Sequence, residues 1–253
     1  MKITFLGTGT SQGIPVIGSD HEVCLSSDPK DKRLRSSLLM EWDDAVYVID
    51  CGPDFRQQLL SAHVNRLDGI VFTHYHADHT AGLDDVRPFS QKAGKVDLYM
   101  DDSVAQNLKE RFAYVFATEN RYAGAPVVEI HRIGRQKFEL SSKVVQPVEV
   151  MHGNLKILGF RIENMAYITD AKSLKKEEKE KLKGLDVLVV NALRKDPHPT
   201  HFNLEEALHF IGEVKPAKAY LTHISNRLGF HQKVSRELPE NVFLAYDGLV
   251  IDL

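Results

Sequence analysis

Residues 67–79 read LDGIVFTHYHADH: an apolar run of strand type, then four metal-ligating side chains, His74, His76, Asp78 and His79, within six residues. A strand end is a rigid platform, and a turn directly behind it folds several side chains back toward one point. Imidazole nitrogen and carboxylate oxygen are the ligand set of hydrolytic zinc and other first-row metals. Four such side chains from so short a stretch can hardly all serve one ion and leave an open position. Dividing them between two neighbouring ions is easier. A polar surface turn that happens to carry histidines does not account for three His and an Asp at this spacing.

Working outward, strand-type runs cover Met1–Leu6, Arg35–Glu41, Ala45–Asp50, Leu67–Thr73 and Val96–Met100. The next third is strand-rich: Val127–Ile133, Lys137–Leu140, Val144–Val150, Ile157–Ile162 and Met165–Ile168. Leu185–Val190 and Ala219–Thr222 follow, and Val242–Ala245 with Leu249–Asp252 reads as a closing hairpin around Asp247-Gly248. Trp42-Asp43-Asp44 reads as a hairpin turn. Helical spacing marks Asp54–Val64, Ser103–Phe116 and Leu204–Ile211, and Ser173–Lys183 is a charged helix expected to show a solvated face. His74–Leu83 reads as a polar turn, and Ser11–Lys32 as a long loop of the kind that is functional or disordered. Strands in runs with helices between them predict two sheets with helices outside, not an alternating βαβ wheel.

Composition bounds the function. Of 253 residues, 43% are hydrophobic and 26% charged, and the formal charge is −3. That balance excludes a disordered chain and argues against nucleic acid as a partner, which needs a clustered basic excess. A chain of this size hides roughly 70–75% of its surface on folding, enough for a real core. No run of 18 apolar residues is present, so no membrane helix is expected, and the start MKITFLGTGT lacks the features of a secretory signal. With only two cysteines, Cys24 and Cys51, the expected location is the reducing cytoplasm.

His74-Tyr-His76-Ala-Asp78-His79 is the HxHxDH pattern, and here the chain resembles the metallo-β-lactamase-fold hydrolases. The resemblance implies an α/β fold, an αββα sandwich of two mixed β-sheets packed face to face with helices outside, as one domain over 1–253. It implies that His74 and His76 hold one metal, and Asp78 and His79 a second. His152 is then the next ligand of the first metal, Asp170 the bridging carboxylate and His223 the last ligand of the second. The strand reading independently puts each of these three at a strand end. Asp50 is expected to orient the histidine motif from behind, since metal-bound imidazoles need an acceptor on their other nitrogen.

Further stretches, GTGTSQGIP (7–15), LRSSLL (34–39), DCGPDFRQQ (50–58), HYHADHTAGLDDVRPF (74–89), HPTHFNLEEAL (198–208), LTHIS (221–225) and AYDGL (245–249), resemble the PhnP-like phosphodiesterases nearly end to end. What that implies is a hydrolase with two divalent ions, zinc or manganese, acting through a metal-bridging hydroxide on small cyclic or nucleotide-like phosphodiesters. Asp78 and His201 are the candidate catalytic residues. His201 is expected to donate the proton a leaving alkoxide needs, as histidine titrates near neutrality; otherwise it is a helix-start histidine, and His198 beside it a loop residue.

One departure concerns a structural zinc that the PhnP-like group carries in the loop after the first strand. At those positions this chain has Ser19, His21, Cys24 and Asn226. His21 and Cys24 are legitimate ligands and the other two are poor ones, so a third zinc is expected to be lost, unless His231 substitutes. Arg87 meets either an anion or its neighbours Asp84 and Asp85. Gly7–Gly13 as a phosphate cradle is weak, with no Lys following. A ribonuclease, lactonase or thioesterase on the same site, or an accessory protein like PqqB, are the alternatives. Oligomeric state is not legible; a homodimer is the default expectation.

Overall fold

The computed structural model describes residues 1–43 and 45–253; Asp44, part of the expected hairpin turn, lies outside them. Among the described residues fourteen strands run in chain order: β1 (Lys2–Gly7), β2 (Ser37–Trp42), β3 (Ala45–Ile49), β4 (Gly69–Val71), β5 (Val96–Met100), β6 (Val128–Arg132), β7 (Phe138–Leu140), β8 (Lys143–His152), β9 (Leu155–Ile162), β10 (Met165–Ile168), β11 (Val187–Asn191), β12 (Lys218–Thr222), β13 (Val242–Leu244) and β14 (Val250–Asp252). They form two mixed sheets of seven strands, ordered β14-β1-β2-β3-β4-β5-β6 and β13-β12-β11-β10-β9-β8-β7. Contacts gather into two compact units, each with one sheet. The first is Met1–Gly7, Arg35–Gly134 and Gly248–Leu253; the second is Thr8–Leu34 and Arg135–Asp247.

In the first unit β14, β1, β2 and β3 pair antiparallel, and β3 through β6 parallel. Alternate residues of these strands, among them Val48, Ile70 and Leu98, turn one face to the helices, where Phe55 and Leu59 of the helix Phe55–Ser61 and Val104 and Leu108 of Asp102–Arg111 complete a buried apolar core. At the usual value of roughly 25 cal/mol per Å² of apolar surface removed from water, this burial is the main stabilising force of the unit. Gly7 ends β1 because a Cβ there would lie 1.9 Å from the carbonyl oxygen of Arg35. That close approach, not a phosphate, accounts for this glycine.

The second unit repeats the plan: β7–β10 antiparallel, β10–β13 parallel. Its core joins Val148, Ile168, Leu188 and Leu221 to Ala207, Phe210 and Ile211 of the helix Leu204–Val214. That helix starts at a capping box: Asn203 accepts from the Glu206 N–H, and the Glu206 carboxylate accepts from the Asn203 N–H.

Several expectations are corrected. The charged run is helical only over Lys176–Glu180. Lys176, Glu177 and Glu180 form the expected solvated face, but Glu178 is buried: its carboxylate accepts from the Glu149 N–H and from the Lys181 ammonium, each at 2.7 Å. Ser103–Phe116 divides at Phe112 into Asp102–Arg111 and Ala113–Phe116. The expected turn His74–Leu83 contains the helix Ala77–Thr80, and the helices Arg87–Ala93 and His231–Glu237 had no sequence signal.

The loop after β1 is held by polar side chains. The buried Arg33 guanidinium donates to Thr8 Oγ1 (2.7 Å) and the Ala245 carbonyl (2.6 Å), and faces His231 Nδ1 at 3.1 Å. Asp31 accepts from the His231 N–H, and Asp247 from the Leu34 N–H. Among the described residues no helix is long and apolar enough to cross a membrane.

Candidate metal centre

In the first unit the site is built at the ends of β3 and β4. Asp50, directly after β3, is fully buried. Its Oδ1 accepts from the Thr73 N–H (2.8 Å), and its Oδ2 from the Thr73 hydroxyl (2.8 Å) and from His79 Nδ1 (2.7 Å). Because the Thr73 hydroxyl gives its hydrogen to Asp50, its oxygen accepts from His74 Nδ1 at 3.0 Å. One carboxylate therefore orients two imidazoles, His79 directly and His74 through Thr73, which makes Nε2 of each the candidate ligand atom. His74 Nε2 lies 3.0 Å from His76 Nδ1, and His79 Nε2 3.1 Å from Asp78 Oδ2. Burial raises the Asp50 pKa, and the charge and hydrogen bond of His79 oppose that rise.

The helix Ala77–Thr80 carries Asp78 and His79 and docks on the loop after β3. Cys51 N–H donates to the His79 carbonyl and Gly82 N–H to the Cys51 carbonyl, both at 2.9 Å. Gly52 permits this contact: a Cβ there would lie 2.1 Å from the Asp78 carbonyl oxygen.

In the second unit the ends of β8, β10 and β12 supply the other candidates. His152 ends β8, and its Nδ1 donates to the carbonyls of Asp170 and Thr200, both at 3.0 Å, which makes Nε2 the candidate ligand atom here too. Asp170, two residues after β10, accepts from the Thr169 hydroxyl at 2.6 Å through Oδ2. Its Oδ1 lies 2.9 Å from His201 Nε2 and 3.3 Å from His223 Nε2. Ligand atoms of His152, Asp170 and His201 come within 4.8 Å of one another. The rings of His201 and His223 stack at 5.0 Å, and Thr10 Oγ1 is 3.2 Å from His223 Nε2. Asn191, ending β11, clamps the next backbone unit: its carbonyl accepts from the Ala171 N–H and its amide donates to the Ala171 carbonyl.

Asp50, Asp170 and His223 have φ of 62°, 55° and 54°. Left-handed backbone at a residue other than glycine costs of order 1–3 kcal/mol and persists where the surroundings hold it. All three fall just past a strand end, Asp50 in the first unit and Asp170 and His223 in the second. The donor set fits divalent first-row ions: imidazole and carboxylate groups, most of them buried, with the Nδ1 atoms of His74, His79 and His152 held by hydroxyl, carboxylate and carbonyl.

Each unit thus brings together the candidates it contains: Asp50, His74, His76, Asp78 and His79 in one, His152, Asp170, His201 and His223 in the other. Thr73 and Asn191 were missed. Thr73 stood in the motif, but a hydroxyl relay has no sequence signature. His21 and Cys24 do not join a ligand group of three or more among the described residues. His21 Nδ1 accepts from the Val23 N–H, Cys24 Sγ from the Val16 N–H, and His231 is engaged by Arg33. Arg87 donates to both carboxylate oxygens of Asp84, at 2.7 and 2.8 Å, rather than standing open to an anion.

The Beta-lactamase superfamily domain matches residues 46–224. A crystal structure of a diphosphatase from the PhnP family is similar over 100% of this chain and 97% of its own, with a TM-score of 0.93 and 41% identity. The Zn(2+)-bound PqqB of Methylobacterium extorquens shares the fold, with a TM-score of 0.82 and 19% identity over 100% of both chains. The octanoyltransferase of Porphyromonas gingivalis is 38% identical over 252 residues, 98% of this chain and 51% of that protein, so the chain spans about half of that relative's length. On the strength of the domain match and the end-to-end likeness to the diphosphatase, this chain belongs to the metallo-β-lactamase-fold superfamily, among its PhnP-like hydrolases.

Proposed function

We propose that this protein is a dinuclear metal-dependent phosphodiesterase acting on small cyclic or nucleotide-like substrates. His74, His76 and His152 would hold one ion, Asp78, His79 and His223 the other, and Asp170 would serve both. The observation that carries the reading is the held state of the imidazoles. His79 Nδ1 is fixed by Asp50, His74 Nδ1 by Thr73 and His152 Nδ1 by two carbonyls. A histidine placed only for packing has no need of such orientation.

Divalent ions, when bound, supply a water of near-neutral pKa and positive charge against the phosphoryl oxygens. The chain's own residues do the rest. Asp50 and Thr73 keep two imidazoles in one tautomer and one rotation. Asn191 keeps the backbone after Asp170 in place. His201 presents Nε2 beside Asp170 and gives its proton to the leaving oxygen.

The test is metal content by elemental analysis with turnover of bis(p-nitrophenyl) phosphate before and after chelation. About two ions per chain, with activity lost on chelation and restored by Zn or Mn, supports the reading. No turnover after metal addition overturns it.

A second reading has its own observation. The chain matches half of an octanoyltransferase, and a site of this type also attacks acyl carbonyls. Hydrolysis of an octanoyl thioester faster than of any phosphodiester or diphosphate would replace the first reading with a thioesterase.

A further inference from the structure

Residues 196–201 read Asp-Pro-His-Pro-Thr-His, so His198 stands between two prolines. Each proline fixes its own φ, and Pro199 also restricts the residue before it. Arg194 fastens the segment, donating to the Pro197 carbonyl at 2.7 Å. A loop histidine held this firmly has a defined direction.

Its Nδ1 lies 3.1 Å from Nδ1 of His201. Two facing ring nitrogens at that distance share one proton. The Thr200 N–H also points at His198 Nδ1, at 3.4 Å, which marks that nitrogen as the acceptor. The proton between the rings is then carried by His201 Nδ1. The Thr200 hydroxyl, 2.9 Å from the same His201 nitrogen, closes the group. On the far side of the ring, His201 Nε2 faces Asp170 Oδ1 at 2.9 Å.

We infer that His198 is a positioning residue for His201: its Nδ1 accepts from His201 Nδ1–H and thereby fixes the ring rotation in which Nε2–H faces the leaving oxygen, so that the ring gives up the Nε2 proton and keeps the one on Nδ1. This rests on the phosphodiesterase reading in which His201 is the proton donor. The surroundings suit a neutral acceptor. Burial, then the neighbouring His201 and Arg194, lower the His198 pKa below the usual histidine range. Thr200 ties the device to the ligand cluster, since its carbonyl accepts from His152 Nδ1.

The experiment compares His198→Ala, His198→Asn and His201→Ala on two substrates. Bis(p-nitrophenyl) phosphate releases a phenolate that needs no proton near neutral pH; a cyclic dialkyl phosphodiester releases an alkoxide that does. The expected result is a kcat loss in His198→Ala at least about tenfold larger on the dialkyl substrate, with KM little changed, and recovery of most of it in His198→Asn, whose amide oxygen replaces the acceptor. Metal content stays at the parent value. Long-range proton–nitrogen spectra of the protein without added metal show a proton on His201 Nδ1 and none on His198 Nδ1, and the His201 signals move in His198→Ala. Leaving-group dependence in His201→Ala but not in His198→Ala overturns the positioning alone. Its absence from both overturns the acid role of His201 and the positioning with it. Equal losses on both substrates with lost metal make His198 merely structural and overturn the proposal.

Discussion

Asp50 and His79 meet at 2.7 Å, carboxylate to Nδ1, with both side chains fully buried. The same carboxylate takes the Thr73 hydroxyl and so reaches His74. Replacing Asp50 by Asn keeps the shape and removes the charge. Metal affinity should fall about 10- to 100-fold, the usual effect of losing an orienting partner. Competition with a graded series of chelators measures it; unchanged affinity would show that the imidazoles need no such orientation. Thr73→Val, which cuts only the arm to His74, should give a smaller loss.

Asp78 lies on the helix Ala77–Thr80, beside His79. Asp78→Ala should leave the fold intact by circular dichroism, remove about one ion per chain and abolish hydrolysis. Full activity in this variant would rule out a dinuclear centre.

Gly52→Ala places a Cβ 2.1 Å from the Asp78 carbonyl oxygen, where backbone meets backbone and no side chain can yield. Overpacking of this kind costs about 1–3 kcal/mol. The urea midpoint should drop, and the affinity for metal with it, because the displaced helix carries two of the proposed ligands.

His231, packed between Arg33 and Asp31, has its pKa lowered to about 4, by burial first and by Arg33 second. The unfolded chain then binds the extra proton between about 6.5 and about 4, so this histidine makes stability fall as pH falls through that window. Asp247, pushed up to about 6 by burial, acts with the opposite sign between about 4 and 6. The His231→Asn variant keeps an acceptor for Arg33 and cannot titrate. The difference between its melting curve and that of the parent isolates the histidine: parent minus variant should decline on acidification, and a flat difference would refute this.

The expectation that the loop after β1 holds no zinc predicts that His21→Ala combined with Cys24→Ser leaves the metal content at the parent value. A fall of about one ion per chain would show that these two side chains still help to hold one.

Much of the candidate site was legible before the fold was known, because its signal is local. Candidate ligands spaced within one turn after an apolar strand can be read from a dozen residues; His152, Asp170 and His223 came from the resemblance to the metallo-β-lactamase-fold hydrolases, with which their places at strand ends agreed. Strand runs were found because side-chain alternation is a property of short segments. Short helices fared worse. Ala77–Thr80, Arg87–Ala93 and His231–Glu237 are too brief to show a period and are held by tertiary contacts.

The sequence by itself determined the types of the candidate ligands, their order and their places at strand ends, since these depend on residue identity and on periods of two. Only the tertiary structure decided how each candidate side chain is held. The left-handed backbone at Asp50, Asp170 and His223, the Asn191 clamp on Ala171 and the Thr73 relay depend on which segments lie side by side. The same holds for the pairing of Arg33 with His231, 198 residues apart, which helps to hold the loop after β1. A hydrogen bond across such a separation has no pattern in the chain, because its partners are brought together only when each unit's sheet and core have formed.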